Sequence, residues 1–213
     1  MLDGNLLVFD TETISTEKRF IYNIGYVIID LDGNHLVERD MLIRQVYDNK
    51  PLFATAYYAD KRPLYLSKMK GRQTKKVSWG EACRIMLKDI KDYNVADGFA
   101  FNSPFDASAF YFTHNFFGNK RRPLDGIRIN DIRKIIKVFT ETEEYKEWCK
   151  ANGFITATGK AQETAEAVYA YITANPNYME EHTALEDSKI ETEILLYAIT
   201  KIAETPDETE SEE

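Results

Sequence analysis

The chain has 213 residues, of which 44% are hydrophobic, and a formal net charge of −8. A chain of this length can bury one substantial core without disulfides or structural metals, so we expect a single α/β domain. Its two cysteines, Cys83 and Cys149, lie far apart in helical patterns and predict reduced thiols. The sequence has no run of about 18 apolar residues and no basic N-terminal region before an apolar one, which excludes a membrane protein and predicts a soluble, cytoplasmic one.

The negative charge is concentrated at the end of the chain. Residues 204–213 contain six acids and no base, so the remaining residues carry a net charge of only −2. This segment offers no apolar side chain for burial, which predicts a disordered acidic tail at 204–213 behind one folded domain at 1–203. The modest charge of that domain is compatible with a nucleic-acid partner.

The first predicted strand ends in two acids. An apolar run at 6–9 indicates a buried strand, and Asp10 and Glu12 follow it on the same face. A carboxylate beside a core needs a partner, and no Lys or Arg lies between these two. A divalent metal ion bound through oxygen would be such a partner. The other interpretation of this spacing is a solvated acidic turn.

Two further strands follow. Residues 20–30 are rich in β-branched and aromatic side chains, and residues 35–44 alternate between polar and apolar side chains. Between them, Asp32-Gly33-Asn34 is typical of a hairpin turn. The chain therefore opens with three strands, of which at least two are antiparallel.

Residues 45–77 form a basic segment with eight bases and two acids. Aromatic side chains alternate with these bases, and such a mixture suits single-stranded nucleic acid, whose bases stack on rings while its phosphates meet cations. On this interpretation Tyr57 and Tyr58 contact the substrate. The alternative is a solvated segment that its aromatic residues attach to the core. The aromatic residues concerned are Tyr47, Phe53, Tyr57, Tyr58 and Tyr65.

The middle of the chain predicts a helix, a strand and a second helix. Ser78-x-x-Glu81 has the spacing of a capping box before a helix that reaches Tyr93, and residues 96–101 predict a buried strand. Ser103 is the predicted N-cap of the next helix, whose first turn contains Asp106. Asp106 could serve only the helix dipole, or it could join the two acids of the first strand.

The last helix carries the third group of candidate residues. Before it, residues 117–137 form a second basic cluster with a predicted fifth strand at 127–132, and helical patterns follow at 140–151 and 161–173. Thr183 is the predicted cap of the final helix, which places His182 just outside it and Asp187 one turn inside. A base beside a metal ligand would suit this arrangement, although a histidine at a helix start commonly has no such role.

Taken together and in this order, the three stretches resemble the motifs of the DEDDh 3'→5' exonucleases, the superfamily of the proofreading epsilon subunit of bacterial replicative polymerases. Residues 9–13 are similar to the first motif, Asn102–Asp106 to the second and His182–Asp187 to the third, whose spacing marks the histidine subclass. The resemblance extends over residues 6–197 and implies an RNase H-like mixed sheet of five strands, flanked by helices on both faces. The chain departs from the family at Ile14-Ser15, where Thr-Gly is common.

The resemblance also implies a role for each matching residue. Four carboxylates would hold two Mg²⁺ or Mn²⁺ ions and a histidine would be the general base, so the implied catalytic set is Asp10, Glu12, Asp106, His182 and Asp187. Thr11 and Thr13 would contact the terminal nucleotide through their main chain. Ile14 would wedge against the base of the terminal nucleotide. Asn102 would either orient Asp106 or merely begin the turn before the predicted helix.

The implied activity is metal-dependent removal of nucleoside 5'-monophosphates from the 3' end of single-stranded nucleic acid, with DNA favoured over RNA. A polymerase or another replication protein is the implied protein partner, and a membrane is not. Two alternatives stay open: a catalytically silent exonuclease-like module that binds nucleic acid or a polymerase, and a purely structural domain. The complete set of acids favours the enzyme, because a binding module has no need for them.

Overall fold

The computed structural model describes residues 4–118 and 121–204. Two compact units are present, the first formed by residues up to 131 together with 181–189, and the second by residues 132–180 together with 190–204. Residues 205–213 of the predicted tail and Lys120 of the second basic cluster lie outside the described residues. Among the helices of the described part, none combines the length and apolarity that a bilayer crossing demands.

Six strands form one mixed sheet: β1 Asn5–Thr13, β2 Ile21–Ile29, β3 His35–Ile43, β4 Lys75–Val77, β5 Val95–Ala100 and β6 Arg128–Asp131. Their order across the sheet is β4-β3-β2-β1-β5-β6. The pairs β1–β2 and β2–β3 are antiparallel, whereas β1–β5, β5–β6 and β3–β4 are parallel. The predicted α/β class, with an antiparallel start followed by parallel strands, is confirmed.

The sheet has one strand more than the five predicted. The additional strand, β4, consists of three residues and pairs with residues 41–43 at the free edge of β3. A strand of three residues is too short to show the alternation of polar and apolar side chains that would distinguish it from the surrounding basic segment. Its pairing with β3 is a tertiary contact, which residue pattern alone does not reveal.

The first unit contains five of the helices, which are α1 Arg44–Tyr47, α2 Lys50–Phe53, α3 Arg62–Lys70, α4 Trp79–Asp92 and α5 Ser103–Phe117. As predicted, Ser78 caps α4, and its hydroxyl accepts a hydrogen bond from the Glu81 amide. The predicted N-cap of α5 was wrong by one residue. Asn102 is the cap and has a left-handed backbone (φ 70°), so that Ser103 is already helical.

The second unit is built from helices, which are α6 Ile132–Ile135, α7 Lys137–Thr140, α8 Glu143–Asn152, α9 Ala165–Ile172 and the later part of α10 Ala184–Glu204. Aromatic side chains fill its interior, where the ring centroids of Phe139 and Tyr197 lie 5.1 Å apart. Thr142 caps α8, so this helix begins three residues later than the predicted start at 140, and Thr140 belongs to α7. As predicted, α10 starts at Ala184, and both cysteines of the chain are free and buried.

Helices of the first unit cover both faces of the sheet. On one face, Phe9 meets Phe110 of α5 edge to face at 5.8 Å, and the Tyr26 hydroxyl donates to Asp89 of α4 at 2.9 Å. The opposite face carries Asp10, because side chains alternate along a strand. The first turn of α10 covers this second face.

Gly25 allows the backbone at the start of α10 to lie close to the sheet. It lies opposite Asp10 in the β1–β2 pair, and a methyl group added to it would lie 2.0 Å from the Ala184 carbonyl carbon. The neighbouring position on the same face, Asn23, accepts a hydrogen bond from the Ala184 amide at 3.0 Å. The two residues of β2 that face Asp10 and Glu12 therefore hold the start of α10 against the sheet.

We expect Gly25→Ala to lower the free energy of unfolding by about 1–3 kcal/mol, because the added methyl group must displace the backbone of α10. Chemical denaturation followed by circular dichroism measures this change. Gly80→Ala is the matched control, since no atom outside its chain neighbours and its own helix backbone lies within 4 Å of the added methyl group. In a helix this control should leave stability unchanged or raise it by up to about 1 kcal/mol. Equal stability of the two variants would contradict the close contact.

Candidate metal centre

Three carboxylates from distant parts of the sequence meet at the end of β1. Asp10 and Glu12 come from β1, and Asp187 comes from the first turn of α10. One oxygen from each of the three lies within 4.8 Å of the others. Glu12 and Asp187 are only 8% and 9% exposed, and Asp10 keeps part of its surface open. The cluster is therefore largely withdrawn from water while one of its members stays accessible.

Burial and mutual repulsion make it costly for all of these acids to be ionised. Burial raises the pKa of Asp10 to about 7 from an ordinary 3.8, although a hydrogen bond from the Thr11 amide opposes this. Burial also raises the pKa of Glu12 well above its usual range, and the charges of Asp10 and Asp187 add to the effect. Lys61 lowers the pKa of Glu12 but does not cancel the rise. Such a group of oxygen donors matches what a hard divalent cation such as Mg²⁺ or Mn²⁺ prefers.

Asp106 lies beside this cluster rather than within it. It belongs to the first turn of α5, is 2% exposed and accepts a hydrogen bond of 2.7 Å from the Thr11 hydroxyl. Burial and the nearby charge of Asp10 raise its pKa well above the ordinary value. Its oxygens are not among those that lie within 4.8 Å of one another. Its predicted role as a metal ligand stays a prediction.

His182 lies two residues before Ala184, the first residue of α10, and has a left-handed backbone (φ 52°). Its ring stacks on that of Tyr58, with centroids 4.5 Å apart and planes 13° apart. Two lysines hold the segment that carries it. The ammonium group of Lys61 donates to the Glu181 carbonyl, and that of Lys68 forms an ion pair of 2.5 Å with the Glu181 carboxylate. Contacts from outside the segment therefore support a backbone conformation that is unfavourable for a non-glycine residue.

A cleft of about 400 Å³ lies next to the carboxylates. Most of the predicted substrate residues line it, and these are Thr11, Thr13, Ile14, Tyr57 and Tyr58. Asn102, the remaining one, lies at the start of α5, where its amide donates a hydrogen bond of 3.1 Å to Asp131. Phe105 also lines the cleft, and the sequence analysis assigned no role to it.

The basic segment of residues 45–77 divides into two groups of aromatic residues. Tyr47, Phe53 and Tyr65 are buried, so for them the interpretation as residues attached to the core is correct. Tyr57, in contrast, is 82% exposed, and with Tyr58 it borders the cleft. Tyr58 contacts His182, which the sequence analysis did not anticipate, because their approach depends on how two distant segments fold together.

Asn23 and Gly25 are the residues that the sequence analysis missed. A usable signal was present, because both interrupt an otherwise apolar and aromatic strand at positions on one face. The amide of Asn23 donates to Asp40 and to the Met41 carbonyl, at 2.6 and 3.2 Å. Its oxygen accepts hydrogen bonds from the Tyr65 hydroxyl and from the amide of Ala184. All the hydrogen-bonding capacity of this buried side chain is therefore used.

The raised pKa of Asp10 leads to a prediction for stability without metal. Because its folded-state pKa exceeds its ordinary value of 3.8, Asp10 contributes a loss of stability as pH rises from about 4 to 7, and Asp10→Asn lacks this contribution while Glu12 and Asp106 keep theirs. In chemical denaturation with a chelator, we expect the stability of the variant relative to wild type to increase by roughly 1–3 kcal/mol between pH 5 and pH 8. Asp32→Asn, in the exposed β2–β3 turn, is the control. A relative stability of Asp10→Asn that stays constant with pH would contradict the prediction.

Comparison with known proteins shows similarity in fold. The exonuclease I of Methylocaldum szegediense superimposes with a TM-score of 0.56 and 15% sequence identity, covering 91% of this chain and 40% of that protein. E. coli exonuclease I in complex with a dA16 oligonucleotide gives a TM-score of 0.49 and 13% identity, covering 96% of this chain and 46% of that protein. The chain thus spans less than half the length of either protein. No protein-family model and no curated protein matches its sequence. The chain shares the mixed α/β fold of exonuclease I.

Proposed function

We propose that this protein is a metal-dependent 3'→5' exonuclease of the DEDDh type, which removes nucleoside 5'-monophosphates from single-stranded nucleic acid. The observation that carries the proposal is the convergence of Asp10, Glu12 and Asp187 within 4.8 Å of one another. Residues so far apart in sequence meet only because α10 docks beside β1. The fold shared with exonuclease I and the order of the three sequence motifs support the same function.

The proposed metal ligands are Asp10, Glu12 and Asp187, with Asp106 completing the set for two ions of Mg²⁺ or Mn²⁺. The donors fit such ions because all are carboxylate oxygens, and because burial raises the pKa of Asp10, Glu12 and Asp106, so that added positive charge would favour their ionised forms. When bound, divalent ions lower the pKa of water and stabilise the charge that develops on a departing oxygen. The hydrogen bond from Thr11 fixes the orientation of Asp106.

The proposed general base is His182. Imidazole exchanges a proton near neutral pH, so it can accept one from the water that attacks the terminal phosphorus. The flat contact with Tyr58 holds the ring next to the cleft that Tyr58 lines. The phosphodiester bond then breaks on the side of the 3' oxygen, which leaves with the shortened strand, and the terminal residue is released as a nucleoside 5'-monophosphate.

The cleft next to the carboxylates is the proposed site of the terminal nucleotide. Its volume of about 400 Å³ lies within the usual range for small-ligand pockets, roughly 300–1,000 Å³. Thr11 and Thr13 would contact the nucleotide through their main chain, and Ile14 would pack against its base. Tyr57, with most of its ring exposed, is the proposed contact for the preceding base.

The first test of this function is hydrolysis of 5'-labelled single-stranded DNA in the presence of Mg²⁺ or Mn²⁺. We expect shortening from the 3' end with release of mononucleotides, and a loss of at least about a hundredfold in Asp187→Asn, because one ligand is removed. Asp32→Asn removes an acid in the turn between β2 and β3 and should keep wild-type activity. No release by wild type, or equal release by Asp187→Asn, would reject the proposal and favour a silent binding module.

The second prediction concerns the general base. We expect His182→Gln to lower kcat by roughly 10²- to 10⁴-fold, the range typical of lost general-base catalysis, with little change in KM. The matched control is His35→Gln, which removes an exposed histidine that pairs with Glu38 at the start of β3. Equal kcat values for the two variants would exclude His182 as the base.

The third prediction concerns the substrate. The motif resemblance to proofreading subunits favours DNA, and the same resemblance makes a polymerase the proposed protein partner. Single-stranded DNA, double-stranded DNA and single-stranded RNA of equal sequence should be compared under identical conditions. We expect the highest kcat/KM on single-stranded DNA, and a higher value on RNA would overturn this preference.

A further inference from the structure

An aromatic stripe follows one face of α5 away from the cleft. Phe105, Phe112 and Phe116 are seven and four residues apart, so their side chains lie along one side of the helix. Phe112 is 38% exposed and Phe116 is 70% exposed. Exposed phenylalanine rings at successive turns are unusual on a surface that has no binding role. We call these three residues the aromatic stripe.

The rings of the stripe are held in place from one side. Phe20, which precedes β2, meets Phe112 edge to face at 4.9 Å and Phe116 at 5.0 Å. Phe116 also contacts Phe117 at 5.1 Å. These contacts restrict the orientation of the Phe112 and Phe116 rings and leave part of each ring exposed, so ordering them on binding would cost little entropy.

The stripe continues directly from the proposed site of the terminal nucleotide. Phe105 lines the cleft, and the guanidinium of Arg19 lies 5.3 Å from the centre of its ring. Arg19 also donates a hydrogen bond to the Ser108 hydroxyl, one turn further along α5. The helical rise of 1.5 Å per residue separates Phe105 from Phe116 by about 16 Å. A strand that leaves the cleft along α5 would therefore meet several aromatic faces in succession.

Cations lie at the end of the stripe next to the cleft. The guanidinium of Arg19 lies over the ring of Phe105, and the amide of Lys18 donates a hydrogen bond to Ser15, which lines the cleft. The guanidinium of Arg122 lies 5.3 Å from the ring of Tyr111, which is 54% exposed. Flat rings accompanied by guanidinium groups suit a chain of bases and phosphates.

We propose that the aromatic stripe binds the unpaired bases that precede the terminal nucleotide, so that single-stranded nucleic acid lies along α5. The inference rests on the proposed function, which places the 3' end in the cleft. The occupant is nucleic acid rather than an apolar segment of a protein, because the stripe begins at the cleft and Lys18 and Arg19 accompany it there. Exposed rings then act as a stacking surface that does not depend on base identity.

The test measures binding without catalysis. A labelled oligothymidylate of about 12 nucleotides is titrated with wild type and with Phe116→Ala in the presence of a chelator, and fluorescence anisotropy gives Kd. We expect Phe116→Ala to weaken binding about tenfold, which is typical of one lost stacking contact. Leu31→Ala, which truncates a side chain that is 57% exposed in the β2–β3 turn, should bind as wild type does.

Two further variants separate stacking from a general apolar contact. Phe116→Trp should bind at least as tightly as wild type, whereas Phe116→Leu should remain weak, because leucine keeps apolar area but has no flat ring. Equal binding by wild type and Phe116→Ala would overturn the proposal. Recovery in Phe116→Leu, or a change of oligomeric state in Phe116→Ala, would also overturn it, since both outcomes indicate a protein-binding face.

A small substrate distinguishes failure of the stripe from failure of the proposed function. The p-nitrophenyl ester of thymidine 5'-monophosphate is too short to reach Phe116, so wild type and Phe116→Ala should hydrolyse it at the same rate with Mn²⁺. A slower rate for Phe116→Ala would count against the stripe, because its effect would then not require upstream bases. Failure of wild type to hydrolyse the ester would count against the proposed function, while the oligonucleotide titration would still decide the stripe.

Discussion

The contact between the first turn of α10 and strand β2 is the constraint on which the candidate site depends. Gly25 has no side chain, so the backbone of Ala184 can approach the sheet at a position where any larger residue would collide. Asn23 then binds the amide of Ala184 with a fully buried side chain. Because these two residues lie opposite Asp10 and Glu12, α10 reaches the sheet beside the two acids. Asp187 joins them as a consequence of this docking.

The same contact positions the histidine. His182 lies just before the docked turn, and Lys68 fixes its segment from α3 by contacting Glu181 and the Thr183 hydroxyl, the latter at 3.2 Å. The basic segment of the sequence thus contributes two lysines that hold the candidate site, in addition to residues that border the cleft. Positive charge near buried acids also moderates their repulsion, as Lys61 does for Glu12.

Folding brings together acids that would be more stable apart. Desolvation disfavours the ionised forms of Glu12 and Asp106, and the neighbouring charges disfavour them further. Interactions elsewhere must offset this cost, and the aromatic contacts on the opposite face of β1 and β2 are one source. A site that is unfavourable when ionised and without cations is well suited to bind divalent cations, because binding removes the repulsion that folding created.

The sequence predicted those parts of the site that depend on local pattern. Alternation along β1 placed Asp10 and Glu12 on one face, and capping spacing located the start of α10 correctly. The roles of Asn23 and Gly25 were not predicted, because they arise from contact with a helix far along the chain. For the same reason, residue pattern could not show that Asp106 bonds to Thr11 beside the cluster, or that Tyr58 stacks on the histidine.

Calorimetric titration of the metal-free protein with Mn²⁺ measures whether residues from β1 and α10 form one divalent-cation site. Wild type should bind Mn²⁺ with a saturable heat, and Asp187→Asn should weaken binding at least about tenfold, since a carboxylate ligand is lost. Asp48→Asn, which removes a partly exposed acid paired with Lys76, should leave the affinity unchanged. Equal Mn²⁺ affinity in wild type and Asp187→Asn, or no saturable binding by wild type, would show that these residues do not form such a site.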